Sequence, residues 1–355
     1  MEYSDNAVTI RTGEVLDSNK VKVFLAESIP GLTGELTIQQ FPKGFSNLTY
    51  LLTIGSIELV LRRPPFGKKA KTAHDMSREY RILKALKPVF PYCPQPLVYT
   101  EDSSIIGSPF YVMERIKGII LRKEFPPGLS LTREQAGRLC EKLLDLHLEL
   151  HSIDYRKIGL ENFGKPEGYV ERQLSGWTER YRAARTPDAP SFEEVMAWLY
   201  EKKPPDSDRP GIIHNDYKFD NIVLDQRDPM NIIGILDWEM ATIGDPLMDL
   251  GNSLAYWIQK SDPSEMEVIR LMPTKIDGAL TREDMVKRYS DKSGMAIENF
   301  DFYYCFGLFR LAVIAQQIYY RYYHGQTTDE RFRMLIVGVK VLENASLRVI
   351  EKTKL

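Results

Sequence analysis

The stretch GIIHNDYKFDNIVLDQ, Gly211 to Gln226, decides how this chain is read. An apolar run stops at Ile213, and His214, Asn215, Asp216, Lys218 and Asp220 follow almost at once. A second apolar run, Ile222 to Leu224, then resumes. Polar groups crowded between two strand-like segments cost little if they form a loop. Loops carried by rigid strands are also where chemistry concentrates.

The continuation, NIVLDQRDPMNIIGILDWE over 221–239, reads as a β-hairpin with strands near 222–225 and 232–236 and Pro229 in its turn. Folding it about that turn places Asn221 opposite Asp237, where antiparallel partners sit about 5 Å apart. An amide oxygen and a carboxylate then share one end of the hairpin, with Asp216 in the loop leading in. Such hard oxygen donors suit Mg²⁺, which keeps waters and phosphate oxygens as its other ligands. The order Asp216, Lys218, Asn221, Asp237 suits phosphoryl transfer. The first Asp orients and deprotonates an attacking hydroxyl and the Lys meets the γ-phosphate. The Asn and the distant Asp hold metal against the phosphates.

The rest of the chain is compatible with that chemistry. Its 355 residues predict two domains or lobes, and 43% hydrophobic residues supply sizeable cores. A net charge of -2 gives no overall attraction to nucleic acid or to an anionic membrane. Cys93, Cys140 and Cys305 are odd in number and widely spaced, which reads as reduced thiols. The opening MEYSDNAVTIRTGEVLDSNK has no secretory h-region, and Arg310 interrupts the most apolar late stretch, FYYCFGLFRLAVIAQQIYY. A cytoplasmic protein acting on small molecules, with no nucleic-acid or membrane partner, is expected. The oligomeric state is left open.

The first part of the chain is β-rich. LTIQQF, LTYLLTI and IELVLRR read as a meander, AHDMSREYRILKALKPVF as a helix, and QPLVYTED and PFYVMERI as two further strands. After Gly118 the pattern is helical. In LTREQAGRLCEKLLDLHLELHSID, Thr132 is the expected N-cap, and Ala136, Leu139, Leu143, Leu146 and Leu150 form one stripe. These patterns predict an α+β chain: a small antiparallel N-lobe over 1–115 and a larger, mostly helical C-lobe over 116–355, with the site where the lobes meet.

HNDYKFDN resembles the kinase catalytic loop in the form H-x-D-x-x-x-x-N, and ILDWE resembles the segment that carries its metal-binding Asp. With IGDPLMDLG (243–251) these residues resemble the aminoglycoside phosphotransferase family, also called choline-kinase-like. The resemblance implies a protein-kinase-like fold and ATP as cofactor, with GTP left open, together with Mg²⁺. It also implies roles in the N-lobe. In PKGFSNLTY, Ser46 and Asn47 would cover the phosphates. Arg62 stands where the family usually has a Lys, and Glu79 would pair with it. Met113 would border the adenine pocket, and backbone groups of Glu114 and Ile116 would meet the base. The chain has no G-x-x-x-x-G-K-[ST] and no G-x-G-x-x-G, so P-loop and dinucleotide sites lack their fingerprints.

Some polar residues have plainer readings. His214 is expected to be a buried brace for the loop. Asp245 is expected to brace the loop and Asp249 to cap a helix. His147 and His151, at i and i+4, read as scaffold with no third ligand in view.

Glu239, Arg310 and Arg321 are candidates for acceptor binding. The two arginines suit an acceptor with a carboxylate or phosphate. LRRPP and the α-helical aromatic run are similar to the branch of the family linked to acyl-CoA dehydrogenases, which implies hydroxy acids or hydroxyacyl thioesters. An aminoglycoside kinase, and a nucleotide-binding module without transfer activity, are the alternatives.

Overall fold

The structure is a computed structural model that describes residues 7–42, 47–65 and 75–354. In chain order its elements are α1 (Ser18–Ser28), β1 (Leu36–Gln40), β2 (Leu48–Ile54), β3 (Ile57–Arg63), α2 (Met76–Leu86), β4 (Pro96–Thr100), the single-turn α3 (Ser103–Ile106) and β5 (Phe110–Glu114). Next come α4 (Arg133–Ser152), α5 (Tyr169–Ala184), α6 (Glu193–Glu201), β6 (Gly211–Ile213), β7 (Ile222–Leu224), β8 (Ile232–Ile235) and β9 (Thr242–Gly244). The chain closes with α7 (Pro246–Ala255), α8 (Arg282–Ser293), α9 (Asp301–Tyr323) and α10 (Leu335–Lys352).

The chain forms two compact units. One contains the residues up to Ile120 together with Asn221–Ala241; the other contains Leu121–Asp220 and everything from Thr242 onward. The first is built on an antiparallel sheet of order β1-β2-β3-β5-β4. Strands β2 and β3 meet across a two-residue turn in which Gly55 has a φ of 60°. Period-2 alternation sends Tyr50, Leu52, Leu59 and Leu61 into a core shared with Val21 and Leu25 of α1. The next residue of β3, Arg62, therefore emerges on the opposite face. Arg63 returns to the first face, and its Nη1 donates to the Ile106 carbonyl at 2.8 Å. Asp75 caps α2, its side chain accepting the Arg78 N–H, and the helix buries Glu79 beside Ile82, Leu83 and Leu86.

The hairpin β7–β8 belongs to this same unit. The chain at Gly118 runs against it so closely that a Cβ there would lie 2.2 Å from the Leu224 carbonyl oxygen. Ile119 and Leu224 exchange both backbone hydrogen bonds at 2.8 Å. The register corrects one expectation. Ile222 pairs with Ile235, and Leu236 donates to the Asn221 carbonyl at 2.8 Å, so Asn221 faces Leu236 and not Asp237. Asp237 sits one residue further on, with a φ of 66°.

The second unit is mainly helical. Thr132 caps α4 in a reciprocal capping box with Gln135. The short pair β6–β9 lies in this unit. Helices α7 and α9 cross with their backbones in contact: a Cβ on Gly307 would sit 2.3 Å from the Gly251 carbonyl oxygen, and one on Gly251 would sit 2.2 Å from the Tyr303 oxygen. Only glycine permits that approach. Among the described residues, no helix is long and apolar enough to cross a membrane.

Candidate active site

In the first unit, Arg62 is the centre of a charge cluster. It is 8% exposed, and its Nη1 lies 2.9 Å from Glu79 Oε1 on α2. Both terminal nitrogens reach Asp237 Oδ1 at 3.2 Å, and Nη2 also reaches Glu239 Oε2 at 3.1 Å. Glu239 accepts from Asn47 Nδ2 at 2.7 Å as well. Thus Asn47, Arg62, Glu79, Asp237 and Glu239 come together from the residue before β2, from β3 and α2, and from the turn after β8. Ser46 lies outside the described residues. Burial lowers the Arg62 pKa, but Glu79, Tyr111, Asp237 and Glu239 outweigh it and hold the group well above its ordinary value. Burial raises the Glu79 carboxyl, with Arg62 opposing.

The donor set fits a divalent cation. One guanidinium faces three carboxyl groups, so the cluster has room for added positive charge. Asn221 and Asp237 offer amide and carboxylate oxygens, the hard ligands that Mg²⁺ prefers. The strained left-handed backbone at Asp237 is the kind of geometry retained at functional positions.

The strand that would meet a nucleotide base is also in this unit. Met113 pairs with Val60 across β3–β5 and is buried. The Glu114 side chain accepts Lys87 Nζ at 2.7 Å and the Gln95 N–H at 2.8 Å, and its own N–H donates to Gln95 O. The Glu114 carboxylate is therefore committed to holding the strand end. The Ile116 side chain packs over Gly234, where an added Cβ would come within 2.8 Å of it.

The second unit carries Asp216 and Lys218. Lys218 Nζ lies 2.5 and 2.7 Å from the two Asp216 oxygens and 4.6 Å from the centre of the Tyr256 ring. Burial opposes the Lys218 charge, but Tyr256 and Asp216 more than compensate and raise its pKa. The lysine is therefore a fixed cation against Asp216.

The loop bearing Asp216 is held from below by Asp249. Its Oδ2 accepts the His214 N–H at 2.7 Å, and its Oδ1 accepts the Asn215 N–H at 2.7 Å. His147 and His151 Nε2 approach the same Oδ2 at 3.0 and 3.2 Å, and His151 Nδ1 meets the Tyr289 hydroxyl at 2.8 Å. Burial would raise the Asp249 carboxyl, but its two histidine partners hold it well below the carboxylate range. Burial and the neighbouring His151 lower His147 to about 4. His214 Nδ1 faces the Asp216 N–H at 3.2 Å, the brace expected for it.

Two expectations reverse here. Asp245 caps α7, its Oδ1 accepting the Leu247 N–H at 2.8 Å, while Asp249 braces the loop. The two histidines do have a third group, Asp249. With four N–H donors already on its carboxylate, the cluster is a hydrogen-bond brace and not a metal centre. The sequence signal was the i, i+4 histidine pair together with the second Asp of GDPLMD. Nothing local joins segments about a hundred residues apart.

Arg310 lies mid-way along α9, 4% exposed, with its guanidinium 5.1 Å from the Trp177 ring centre. Arg321, about three turns on, is exposed at the helix end, and among the described residues no hydrogen bond or ion pair joins it to the Asp216 cluster. Glu239 sits with Arg62 and Asn47 in the first unit.

The sequence profile of the phosphotransferase enzyme family matches residues 37–272, which include β2, β3, the catalytic-type loop, the hairpin and α7. The chain belongs to the phosphotransferase enzyme family. Among curated relatives of this family member, acyl-CoA dehydrogenase family member 11 of Rattus norvegicus is 31% identical over 360 residues, covering 99% of this chain and 46% of that protein. Family member 10 of Mus musculus is 37% identical over 299 residues, covering 84% and 28%. The chain thus spans less than half the length of these relatives. A Ralstonia eutropha protein classed with the aminoglycoside phosphotransferases superposes with a TM-score of 0.80 at 28% identity, covering 96% of this chain and 100% of that one. A choline kinase from Cryptosporidium parvum superposes at 0.64 with 13% identity, covering 95% and 96%, a likeness of fold alone. The fold is protein-kinase-like, and its family and neighbours support a small-molecule kinase.

Proposed function

We propose that this phosphotransferase moves the γ-phosphate of ATP to a hydroxyl of a small molecule, a hydroxy acid or a hydroxyacyl thioester. The observation that carries this reading is Arg62 held at once by Glu79 and Asp237, the arrangement that phosphate-binding kinases use to align a cation with the metal-binding Asp. Arg62 replaces a lysine but keeps its charge and adds a planar fork for phosphate oxygens.

In this reading Asp216 accepts the proton of the acceptor hydroxyl. The hydroxyl oxygen forms a bond to the γ-phosphorus while the bond to the bridging oxygen breaks, and ADP leaves with that electron pair. Lys218 fixes the Asp216 carboxylate through both oxygens and offers positive charge where the phosphoryl group passes. Asn47 and Arg62 bind phosphate oxygens. The Met113–Ile116 segment receives the base. Mg²⁺, held by Asn221 and Asp237, would supply charge neutralisation on the nucleotide phosphates.

The acyl-CoA dehydrogenase names of the relatives support an acyl-type acceptor. An aminoglycoside is a polycation, and Asp216 already holds a cation, Lys218, against both of its oxygens. The test is a mass-spectrometric screen with Mg²⁺–ATP and parallel panels of hydroxy acids, hydroxyacyl thioesters and aminoglycosides. A phosphorylated product in either of the first two panels is expected. Product from aminoglycosides alone would reverse the acceptor assignment.

A further inference from the structure

The loop that leaves α2, residues 87–95, touches two segments of the first unit that the kinase reading assigns to the nucleotide. At its head stands Lys87, the C-cap of α2. Its ammonium donates to three oxygens, as many as it can serve: the Pro91 carbonyl at 3.1 Å, the Cys93 carbonyl at 2.8 Å and Glu114 Oε1 at 2.7 Å. A lysine at a helix end ordinarily meets the last carbonyls of its own helix. Lys87 instead reaches oxygens beyond the helix. Its side chain is 22% exposed, so the group is not a solvated surface cation, whose pairing with a carboxylate would contribute little.

The end of the loop fixes the strand that would receive the base. Gln95 N–H donates to Glu114 Oε1 at 2.8 Å, and Glu114 N–H donates to the Gln95 carbonyl at 2.9 Å. Glu114 Oε1 therefore serves both Gln95 and Lys87. The middle of the loop fixes the strand that leads to Asp237. The Tyr92 carbonyl accepts the Ile235 N–H at 2.7 Å, two residues before Asp237. Phe90, fully buried, packs edge to face on Trp238, the residue after Asp237, with ring centres 6.2 Å apart. The left-handed turn at Asp237 is thus bracketed by two contacts from one loop. The two carbonyls that Lys87 binds flank Tyr92 in the chain, so the ammonium also directs the peptide groups on either side of it. About two turns back on the same helix, Glu79 holds Arg62 at 2.9 Å.

We propose that Lys87 is a positioning residue for the nucleotide. It clamps the 91–95 loop so that the base end at Glu114 and the metal end at Asp237 are set together. This rests on the kinase reading above and goes beyond it, because Lys87 itself touches neither end's ligand.

Calorimetry on the full chain compares ADP binding in EDTA with ADP binding in Mg²⁺, for the wild type, Lys87→Met, Lys87→Arg and Lys84→Met. Melting temperatures are read on the same samples. Lys87→Met should weaken metal-free ADP about tenfold, the worth of one charge-assisted bond. It should weaken Mg²⁺–ADP about a hundredfold, so the gain that Mg²⁺ gives falls by about tenfold. Lys87→Arg keeps the charge, but its planar fork does not match three oxygens around one point. It should show the same pattern at about threefold, and it carries the test if the Met variant does not fold. Lys84→Met, which strips a charge from the exposed face of α2, should bind as the wild type does. Equal losses with and without Mg²⁺ would show that Lys87 acts on the base strand alone and would overturn the joint clamp. A lower melting temperature with both affinities unchanged would reduce Lys87 to a fold contact and overturn it too. Absence of ADP binding in the wild type would instead overturn the kinase reading itself.

Discussion

Arg62 grips Asp237 with both ends of its guanidinium fork, each nitrogen 3.2 Å from the same carboxylate oxygen. The residue proposed to bind nucleotide phosphate thus also positions the residue proposed to bind metal. Lysine carries one point charge and cannot span Glu79, Asp237 and Glu239 together. Arg62→Lys should therefore lower kcat/KM for ATP by about tenfold, and Arg62→Met by about a hundredfold or more. The Met variant leaves Glu79 buried without its partner and should lose about 3–5 kcal/mol of stability, read by urea denaturation. Unchanged ATP kinetics in both variants would remove Arg62 from the nucleotide site.

Asp249 is the second point of leverage, because its carboxylate holds the His214 and Asn215 N–H groups and both buried histidines. Asp249→Asn presents an amide NH₂ to N–H donors, so part of that brace must break. The expected result is a loss of about 3 kcal/mol or more. A fall in kcat with little change in KM for ATP should accompany it, since the nucleotide residues lie in the other unit. Wild-type stability and kcat would show that the loop does not depend on this carboxylate.

Much of this was legible because the key signals are local. Asp216, Lys218 and Asn221 lie within six residues of one another, and alternation along β3 correctly sent Arg62 and Arg63 to opposite faces. The three-strand meander and the two further strands of the sheet followed from Gly turns and period-2 patterning. What stayed hidden depends on contacts distant in sequence. The exchange of roles between Asp245 and Asp249 is decided by where α7 docks on the β6 loop, and both are Asp residues near a helix start. The hairpin register differs by one residue because the turn sets Leu224 opposite Ile232, a closure that spacing alone does not reveal, and the irregularity between Val223 and Leu224 makes up only half of the offset.

The pH dependence of stability should carry the signature of Asp245. Burial pushes its carboxyl up from 3.8 to about 6, and among the described residues its Oδ2 has no hydrogen-bond partner. A folded-state value above the unfolded one means the stabilising contribution is complete below pH 3.8 and is lost as pH rises through 6. Asp245→Asn keeps a side-chain oxygen to cap α7 but cannot ionise. It should therefore exceed the wild type in stability by up to about 3 kcal/mol near pH 8, with the two converging near pH 4. His147, lowered to about 4, titrates in both proteins and cancels in the difference. A pH-independent difference in melting temperature would contradict this account.

The crossing of α7 and α9 sets where Arg310, a candidate for acceptor binding, stands. Gly307→Ala would place a methyl group 2.3 Å from the Gly251 carbonyl oxygen, a backbone atom that cannot swing aside. About 1–3 kcal/mol of destabilisation is expected from forcing the helices apart. The acceptor KM should rise while the KM for ATP stays near wild type. Equal changes in both KM values would show that the crossing does not act through the acceptor side.

The most direct test of the central claim follows a γ-labelled phosphate from Mg²⁺–ATP in a single turnover with a hydroxycarboxylate panel, for the wild type, Asp216→Asn and Asp237→Ala. The account predicts label on an acceptor hydroxyl with the wild type, a rate lower by about 10²–10⁴ in Asp216→Asn, and no Mg²⁺-dependent transfer in Asp237→Ala. Transfer at wild-type rates in both variants would contradict it.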